Sequence, residues 1–264
     1  MPLSNDKSFL CYFTINEYND PPNRLVLISH FIISTFILLG MLLSVRTGKL
    51  TLSASLTGGF LAGFIYLGVG YIGVVLLGVF FLAGVLATSW KRAEKESAGL
   101  NDDSQEMRTA GQVFANAGIS GVAGLIAMVF PGKGDLFLLM IAAAFSSAIA
   151  DTLSSELGNL YGRKYYNITS FKKDLKGLDG VISLEGTLFG VAGSVLIAMI
   201  YSARTGWGQP FWWIIIAGTL GNFSDSMLGA TLERRRLLKN NAVNFLNTLV
   251  AATVIYLFYV VEIW

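Results

Sequence analysis

Four groups of acidic, amide and basic side chains interrupt the apolar segments of this 264-residue chain. In the first group, Arg108, Gln112 and Asn116 follow at intervals of four, so a helix places all three on one face. In the second, Glu156 lies about 140° around a helix from Asp151, at about 100° per residue, and so points elsewhere. An acidic side chain in an apolar segment is costly unless it is paired or hydrated, and therefore indicates a functional site.

The third and fourth groups lie at the entry to later apolar segments or within them. Their members are Asp179, Ser183, Glu185 and Thr187 in the third group, and Asn222, Asp225, Ser226, Asn240, Asn241, Asn244 and Asn247 in the fourth. Asn222 and Asp225 share one helix face because they are three positions apart. Hydrogen bonding between helices, worth about 1 kcal/mol for each side chain, is the alternative role for single Asn or Ser residues.

This combination of residue types favours the binding and transfer of a polyphosphate. Carboxylate, amide and hydroxyl oxygens suit Mg²⁺, which proteins usually hold through one or two carboxylates together with phosphate oxygens. Arginine and lysine side chains, such as Arg108, Lys172 and Lys173, suit the phosphates themselves. Phosphoryl transfer depends mainly on positioning and charge neutralisation, so it uses both kinds of side chain.

The elements that carry these groups are predicted to be membrane-spanning helices. Apolar residues make up 53% of the chain and charged residues only 14%, and the mean hydropathy is +0.59. The charges lie between apolar stretches of about 20 residues, the length that crosses a bilayer core as a helix. We expect an all-α, polytopic bundle of about eight spans, at 25–45, 51–69, 70–90, 111–130, 134–160, 184–203, 210–232 and 242–262.

The domain organisation is predicted to be simple. Residues 1–24 form a polar, proline-bearing tail, and residues 25–264 form one integral membrane domain. The apolar run 51–90 is too long for one crossing, and the glycines within it allow a tight turn that divides it. The stretch 150–158 resembles 224–229, so spans five and six and spans seven and eight form a candidate parallel hairpin repeat.

Lysine and arginine are distributed unequally between the two ends of the predicted spans. One side receives Arg46, Lys49, Lys91, Arg92, Lys95, Arg108, Arg163, Lys164, Lys172, Lys173, Lys176, Arg234, Arg235, Arg236 and Lys239, and the other receives Lys7, Arg24, Lys133 and Arg204. Cytoplasmic connections carry an excess of these residues. We therefore expect a protein of the cell inner membrane, with both termini outside and the polar, active face cytoplasmic.

Other features favour structural roles or exclude classes of function. The net charge of +2 is too small to indicate a nucleic-acid partner, and a single cysteine, Cys11, with a single histidine, His30, excludes an intramolecular disulfide and a Cys/His zinc site. The loop 91–107 is predicted to be a solvated connection. The arginines at 234–236 are expected to anchor the chain near anionic lipid, with a phosphate clamp as the alternative.

Five motifs stand in order across roughly residues 45–260. They are 108–118 (RTAGQVFANAG), 150–158 (ADTLSSELG), the stretch from 168–173 (ITSFKK) to 177–188 (GLDGVISLEGTL), 221–231 (GNFSDSMLGAT) and 240–248 (NNAVNFLNT). Together they resemble the membrane proteins related to transmembrane protein 19 and to plant phytyl-phosphate kinase. The chain departs from that pattern at Leu178, where the family often has a threonine.

The resemblance implies a membrane kinase that converts a prenyl monophosphate, of phytyl or geranylgeranyl type, to the diphosphate with Mg²⁺ and CTP or another nucleotide. On this basis Asp151, Asp179 and Asp225 are the predicted catalytic residues, and Asp151, Glu156 and Asp225 are the predicted metal ligands. The predicted nucleotide- and phosphate-binding residues are Arg108, Gln112, Asn116, Lys172, Lys173, Ser183, Glu185, Thr187, Asn222, Asn241 and Asn244. The expected partners are prenyl phosphate, nucleotide and membrane lipids.

Other functional classes remain open on the sequence. A transporter or flippase of an anionic isoprenoid would also use repeats and polar groups within the membrane, although such groups are then expected near the midplane. A lipid nucleotidyltransferase would use the same side chains and release pyrophosphate. A non-catalytic scaffold gives no reason for three aspartates in apolar segments.

Overall fold

The chain forms a helical bundle in the computed structural model, which describes residues 24–97 and 107–263. In these ranges the long helices are α1 (Arg24–Arg46), α2 (Leu52–Val69), α3 (Tyr71–Ser89), α5 (Ala110–Val129), α6 (Gly134–Tyr161), α7 (Leu184–Thr205), α8 (Gln209–Leu228) and α9 (Asn240–Ile263). The short ones are α4 (Arg92–Ser97), a 3₁₀ helix (Pro131–Lys133) and a π-helix (Gly229–Glu233). Strands β1 (Tyr166–Asn167) and β2 (Val181–Ile182) pair antiparallel. The predicted tail, apart from Arg24, lies outside the described residues.

The predicted all-α, polytopic fold is confirmed. Seven of the eight long helices in the described ranges are long and apolar enough to cross a membrane. The remaining one, α8, is 20 residues long and is not among the seven. The predicted division of 51–90 is also confirmed, because Gly70 separates α2 from α3 at a φ of +80°, a conformation that glycine adopts readily.

Helix α6 is the centre of the bundle and packs against α3, α5, α7, α8 and α9. Its residues from 141 to 150 are all buried, and they include many alanines and serines. Ser146 and Ser147 satisfy their hydroxyls by donating to the carbonyl of Ile214 and to Asn247. Because these side chains are small, α8 approaches closely, and Gly218 and Gly221 face the two serines with no room for a Cβ.

Four connections meet at one end of the bundle. Helices α1, α3, α6 and α8 end there, and α2, α5, α7 and α9 begin there. Backbone hydrogen bonds of 3.1 Å from Thr51 N to Arg108 O and 3.0 Å from Arg108 N to Lys49 O join the first two connections. The hairpins α6–α7 and α8–α9 are neighbours in the bundle. Their relation by a parallel repeat, and the side of the membrane that this end faces, stay predictions.

Three of the helices that begin at this end have a side-chain cap. Thr51 accepts from Ala54 N at the start of α2, and Ser183 accepts from Gly186 N at the start of α7. Thr109 and Gln112 form a reciprocal capping box at the start of α5. The caps define where each helix starts, and so place the N-terminal N–H groups of α5 and α7 at the same end as the polar residues.

Candidate active site

A polar cavity of about 760 Å³ lies at this end of the bundle. Its wall is made by the C-terminal parts of α6 and α8, the N-terminal parts of α5, α7 and α9, and residues 177–183 of the connection between α6 and α7. Five carboxylates and two cations line it, namely Asp151, Glu156, Asp179, Asp225, Glu233, Arg108 and Lys239. The lining is therefore acidic in balance, and an unaccompanied polyphosphate would be repelled by it.

Twelve of the fifteen predicted site residues line this cavity. They are Arg108, Gln112, Asn116, Asp151, Glu156, Asp179, Ser183, Thr187, Asn222, Asp225, Asn241 and Asn244. Lys172, Lys173 and Glu185 do not line it. Glu185 instead faces Arg163, with 4.0 Å between its Oε1 and the arginine Nε, and both lysines are exposed on the connection between α6 and α7. The chemical roles predicted for all fifteen stay predictions.

The carboxyl groups of Asp151 on α6 and Asp225 on α8 face each other closely enough to share a hydrogen bond. Two carboxylates at such a distance repel each other unless a proton or a cation lies between them. Asp225 Oδ2 also accepts a hydrogen bond of 2.8 Å from Asn247 Nδ2 on α9. Three helices therefore hold this pair at the cavity wall.

The side chain of Asn247 is oriented by a second hydrogen bond, from Ser147. It is fully buried, and Ser147 donates to its side-chain oxygen over 3.1 Å. Because Oδ1 accepts from the serine, the amide nitrogen must face Asp225. A second pair of the same kind lies nearby, where Ser154 donates to Asn222 Oδ1 over 3.1 Å. The polar wall is thus continuous with hydrogen bonds in the core of the bundle.

Arg108 supplies the positive charge on the α5 side of the cavity. Its guanidinium lies against Gly84, where a Cβ would come within 3.0 Å of Nη2. Burial lowers the pKa of Arg108 from its usual value, and the nearby Glu156 carboxylate acts in the opposite direction. Gln112 and Asn116 make local bonds, since Gln112 Oε1 accepts from Thr109 N over 2.8 Å and Asn116 donates to Gln112 O over 3.0 Å.

Glu156 is paired with Lys95, a residue that the sequence did not single out. Their Nζ and Oε2 atoms lie 2.5 Å apart, and the two side chains are only 10% and 17% exposed. Lys95 also donates to Ala87 O at the end of α3 over 2.8 Å. The prediction of a solvated connection at 91–107 is therefore wrong for Lys95, and residues 98–106 lie outside the described ranges.

The three predicted metal ligands are not gathered into one group. Within residues 24–97 and 107–263, no cluster of three or more His, Cys, Asp or Glu side chains could hold a metal ion. Glu156 is turned to Lys95, whereas Asp151 and Asp225 stay together. A carboxylate pair still fits Mg²⁺, because this ion commonly takes one or two protein carboxylates and completes its shell with water and phosphate oxygens.

The connection between α6 and α7 brings Asp179 to the cavity. Asp174 accepts from Arg234 Nη1 over 2.8 Å, and Arg234 Nε donates to Asp179 O over 2.6 Å. The Leu175 N–H, followed by Arg234, holds the pKa of Asp174 below its usual range. Gly180, at a φ of +69°, packs directly on the backbone of Ala230, which closes this side of the wall.

Sequence reasoning missed Lys95 and left Asn247 out of the site. Asn247 carried a detectable pattern, since it lies three residues after Asn244 on the same helix face. Lys95 carried none, because a lysine in a charged connection usually remains in water. Its pairing with Glu156 depends on how the short helix α4 folds back onto the end of α3.

Comparison with known protein families identifies the family to which the chain belongs. A family model described as integral membrane protein DUF92 matches residues 35–252. The chain belongs to this family of integral membrane proteins. The matched range contains α2 to α8 and most of α9, and so all the residues that line the cavity.

Similar proteins occur in Synechocystis, Methanocaldococcus jannaschii and Arabidopsis thaliana. The chain is 30% identical to an uncharacterised membrane protein of Synechocystis over 196 residues, 72% of this chain and 75% of that protein. It is 30% identical to an uncharacterised membrane protein of Methanocaldococcus jannaschii over 232 residues, 86% and 93% of the two chains. It is 29% identical to the chloroplastic protein VTE6 of Arabidopsis thaliana over 175 residues, 64% of this chain and about half (53%) of that protein. No solved structure matches the chain.

Proposed function

We propose that this protein is a membrane kinase that transfers a phosphoryl group from a nucleoside triphosphate to a prenyl monophosphate. The observation that carries the proposal is the Asp151–Asp225 carboxyl pair, held by Asn247 in an acidic cavity at one end of a membrane bundle. The motifs that resemble plant phytyl-phosphate kinase and the similarity to a chloroplast protein support the same substrate class.

The acidic balance of the cavity supports a polyphosphate that enters together with a divalent cation. Asp151 and Asp225 would hold this cation, and Asp179 lies close enough to Asp225 to add to the negative field. Bound Mg²⁺ would neutralise phosphate charge and align the oxygens of the transferred group. The cation would also separate the two carboxylates, which otherwise repel each other.

Other parts of the lining, on α5 and α9, offer groups that suit phosphate. Arg108 provides a charged guanidinium, and Asn116, Asn241 and Asn244 provide amide donors. Helices α5, α7 and α9 all begin at the cavity, so their free N–H groups and the positive ends of their dipoles also favour anions. The site thus has a cation-binding wall on α6 and α8 and an anion-binding wall on α5 and α9.

The reaction needs few catalytic groups. An oxygen of the prenyl phosphate attacks the γ-phosphorus of the nucleotide, the bond from that phosphorus to the bridging oxygen breaks, and the nucleoside diphosphate leaves. Because the acceptor phosphate is already ionised, no strong general base is required. CTP as the donor and a phytyl or geranylgeranyl tail follow from the resemblance, and the tail would lie between the helices in contact with lipid.

We further propose that the cavity faces the cytoplasm of the cell inner membrane, with both termini outside. The excess of lysine and arginine in the four connections at this end supports that orientation. Cysteine labelling of Lys49→Cys in a Cys11→Ser background would test it. A membrane-impermeant thiol reagent added to intact cells should leave the site unlabelled, and labelling from outside would overturn the orientation.

The decisive test is a reaction with purified protein, phytyl or geranylgeranyl phosphate, Mg²⁺ and CTP. We expect prenyl diphosphate and CDP in equal amounts, and about a hundredfold less of both, or none, with the Asp151→Asn variant. Release of pyrophosphate would instead identify a nucleotidyltransferase. Movement of prenyl phosphate across proteoliposomes without nucleotide, with no diphosphate formed, would identify a flippase.

A further inference from the structure

Beside the cavity, the same end of the bundle carries a surface that combines basic and apolar side chains. We call it the basic surface, and it consists of Phe171, Lys172, Lys173, Leu175, Lys176, Arg235, Arg236 and Leu237. Its three apolar side chains are 76% (Phe171), 73% (Leu175) and 67% (Leu237) exposed. Large apolar side chains this exposed next to lysines need an explanation that the cavity does not provide, because none of the eight residues lines it.

The two parts of the basic surface form one continuous region. One part lies on the connection between α6 and α7, and the other on the connection between α8 and α9. Arg234 joins them by its 2.8 Å ion pair with Asp174 and its 2.6 Å hydrogen bond to Asp179 O. Because Asp174 is paired with Arg234, its carboxylate forms no ion pair with the neighbouring lysines of the surface. The ion pairs of the described residues include none of the five basic residues of the surface.

Phe171 is held outward by an ordered turn. Asn167 Oδ1 accepts from Thr169 N over 3.0 Å and from Ser170 N over 3.1 Å, and Phe171 N donates to Asn167 O over 2.8 Å. Phe171 has a φ of +54°, which a bulky residue rarely adopts. Residues in such sparsely populated conformations persist only where the surrounding structure holds them, and they cluster at functional sites.

The composition and position of this surface fit an anionic lipid leaflet. The two connections join α6 to α7 and α8 to α9, and the ends of helices that cross a bilayer would bring them to the headgroup region. Exposed aromatic and aliphatic side chains among lysines and arginines characterise segments that lie in the interface, and clusters of four or more basic residues beside spans bind anionic lipid. We propose that Phe171, Leu175 and Leu237 insert into the headgroup region while the five basic residues contact anionic phospholipid of the same leaflet.

A nucleotide would account for the positive charge but not for the three exposed apolar side chains. An acidic soluble protein could cover both, but only a lipid leaflet explains why this combination lies where long apolar helices end. The proposal also gives Lys172 and Lys173 a role that agrees with their place outside the cavity. It does not depend on the kinase reaction, since it concerns where the connections lie in the membrane.

Spin labelling tests the proposal directly, because removal of Cys11 leaves a chain free of cysteine. A label at Ser170→Cys, with Phe171 intact, is compared with a second label at Lys176→Cys, both in the full chain in nanodiscs of neutral lipid or of mixed neutral and anionic lipid. We expect collisions with oxygen to rise, and collisions with a water-soluble nickel complex to fall severalfold, only when anionic lipid is present. A label at Lys133→Cys, in the turn between α5 and α6, should not respond to lipid charge.

Two sets of variants complete the experiment. Lys172→Gln with Lys173→Gln, or Phe171→Ser alone, should return the label at 170 to a water-exposed position, while the chromatographic profile stays that of the folded protein. A label that is water-exposed in both kinds of nanodisc overturns the proposal. So does a label that is immersed to the same depth in both, because the charge of the lipid then has no part.

Discussion

Asn247 Nδ2 on α9 donates a 2.8 Å hydrogen bond to Asp225 Oδ2 on α8, and Ser147 on α6 fixes the orientation of that amide from behind. One buried asparagine thus joins the three helices that carry the proposed cation site. Asn247 is fully buried, so it contacts no ligand itself and acts through Asp225. Its substitution therefore tests whether the position of this carboxylate matters.

We expect Asn247→Leu, which keeps the branched shape and number of heavy atoms but removes the donor, to lower kcat for diphosphate formation roughly ten- to a hundredfold. Hydrogen bonds to charged groups contribute about 1.5–3 kcal/mol, which corresponds to that range. Mn²⁺ binding, followed by electron paramagnetic resonance, should weaken in parallel. The matched control is Thr248→Val, which removes a hydroxyl that is equally buried but bonds only to Phe245 O in its own helix. Wild-type kcat and Mn²⁺ binding in Asn247→Leu would contradict the positioning role.

Asp151→Asn and Asp225→Asn should each lower turnover by about a hundredfold or more, because each removes one carboxylate from a single charged pair. The double variant should be little worse than either single one, since groups that act as a unit are not additive. Asp135→Asn is the control, because Asp135 is an exposed carboxylate at the opposite end of α6. Product formation and Mn²⁺ binding are measured on protein with an unchanged chromatographic profile. Independent effects of Asp151 and Asp225 that multiply in the double variant would argue against a shared cation.

The bounds of the helices could be predicted from the sequence, whereas the partners of the polar side chains could not. The predicted span at 184–203 agrees closely with α7 at Leu184–Thr205, because an apolar run and a serine cap both mark where the helix begins. Helical periodicity also brought Asn222 and Asp225 to one face. Periodicity on a single helix, however, does not say which residue on a neighbouring helix will meet it. Lys95 and Ser147, and the hydrogen bond from Asn247 to Asp225, are therefore seen as parts of the site only when the helices are packed together.

Replacing only one partner of the Lys95–Glu156 ion pair should destabilise the folded protein. Lys95→Met leaves the largely buried Glu156 without its cation, for which we expect a loss of about 3 kcal/mol. Lys95→Met combined with Glu156→Gln should recover most of that loss, since no charge then remains unpaired. Lys91→Met is the matched control, because it breaks the exposed Lys91–Glu94 pair and should leave stability unchanged. Chemical unfolding in detergent measures each value, and equal effects of Lys95→Met and Lys91→Met would contradict the buried role.

The Asp174–Arg234 pair should depend on pH in a defined direction. Because the pKa of Asp174 is lowered in the folded chain, its contribution to stability is fully present above the usual aspartate value of about 3.9. That contribution is lost as the pH falls through the lowered value. We expect the protection of the Leu175 amide from hydrogen exchange, relative to its intrinsic rate at each pH, to stay high from neutral pH down to that point and then to fall, because this amide donates to Asp174 Oδ1 over 2.8 Å. Asp174→Asn should remove the step, and a step centred near neutral pH would contradict the assignment.

The contact between α2 and α5 requires glycine at position 124. A Cβ there would lie 2.7 Å from Phe64 O and 2.8 Å from the N and Cα atoms of Ile65, all backbone atoms that cannot move aside. Gly124→Ala should therefore force the two helices apart and cost about 1–3 kcal/mol. Gly63→Ala on α2 is the control, since nothing lies within 4 Å of the added carbon and alanine is the better helix former by up to about 1 kcal/mol. Thermal unfolding in detergent should lower the midpoint for Gly124→Ala and hold or raise it for Gly63→Ala. An unchanged midpoint in Gly124→Ala would mean that α2 and α5 are not packed this closely at position 124.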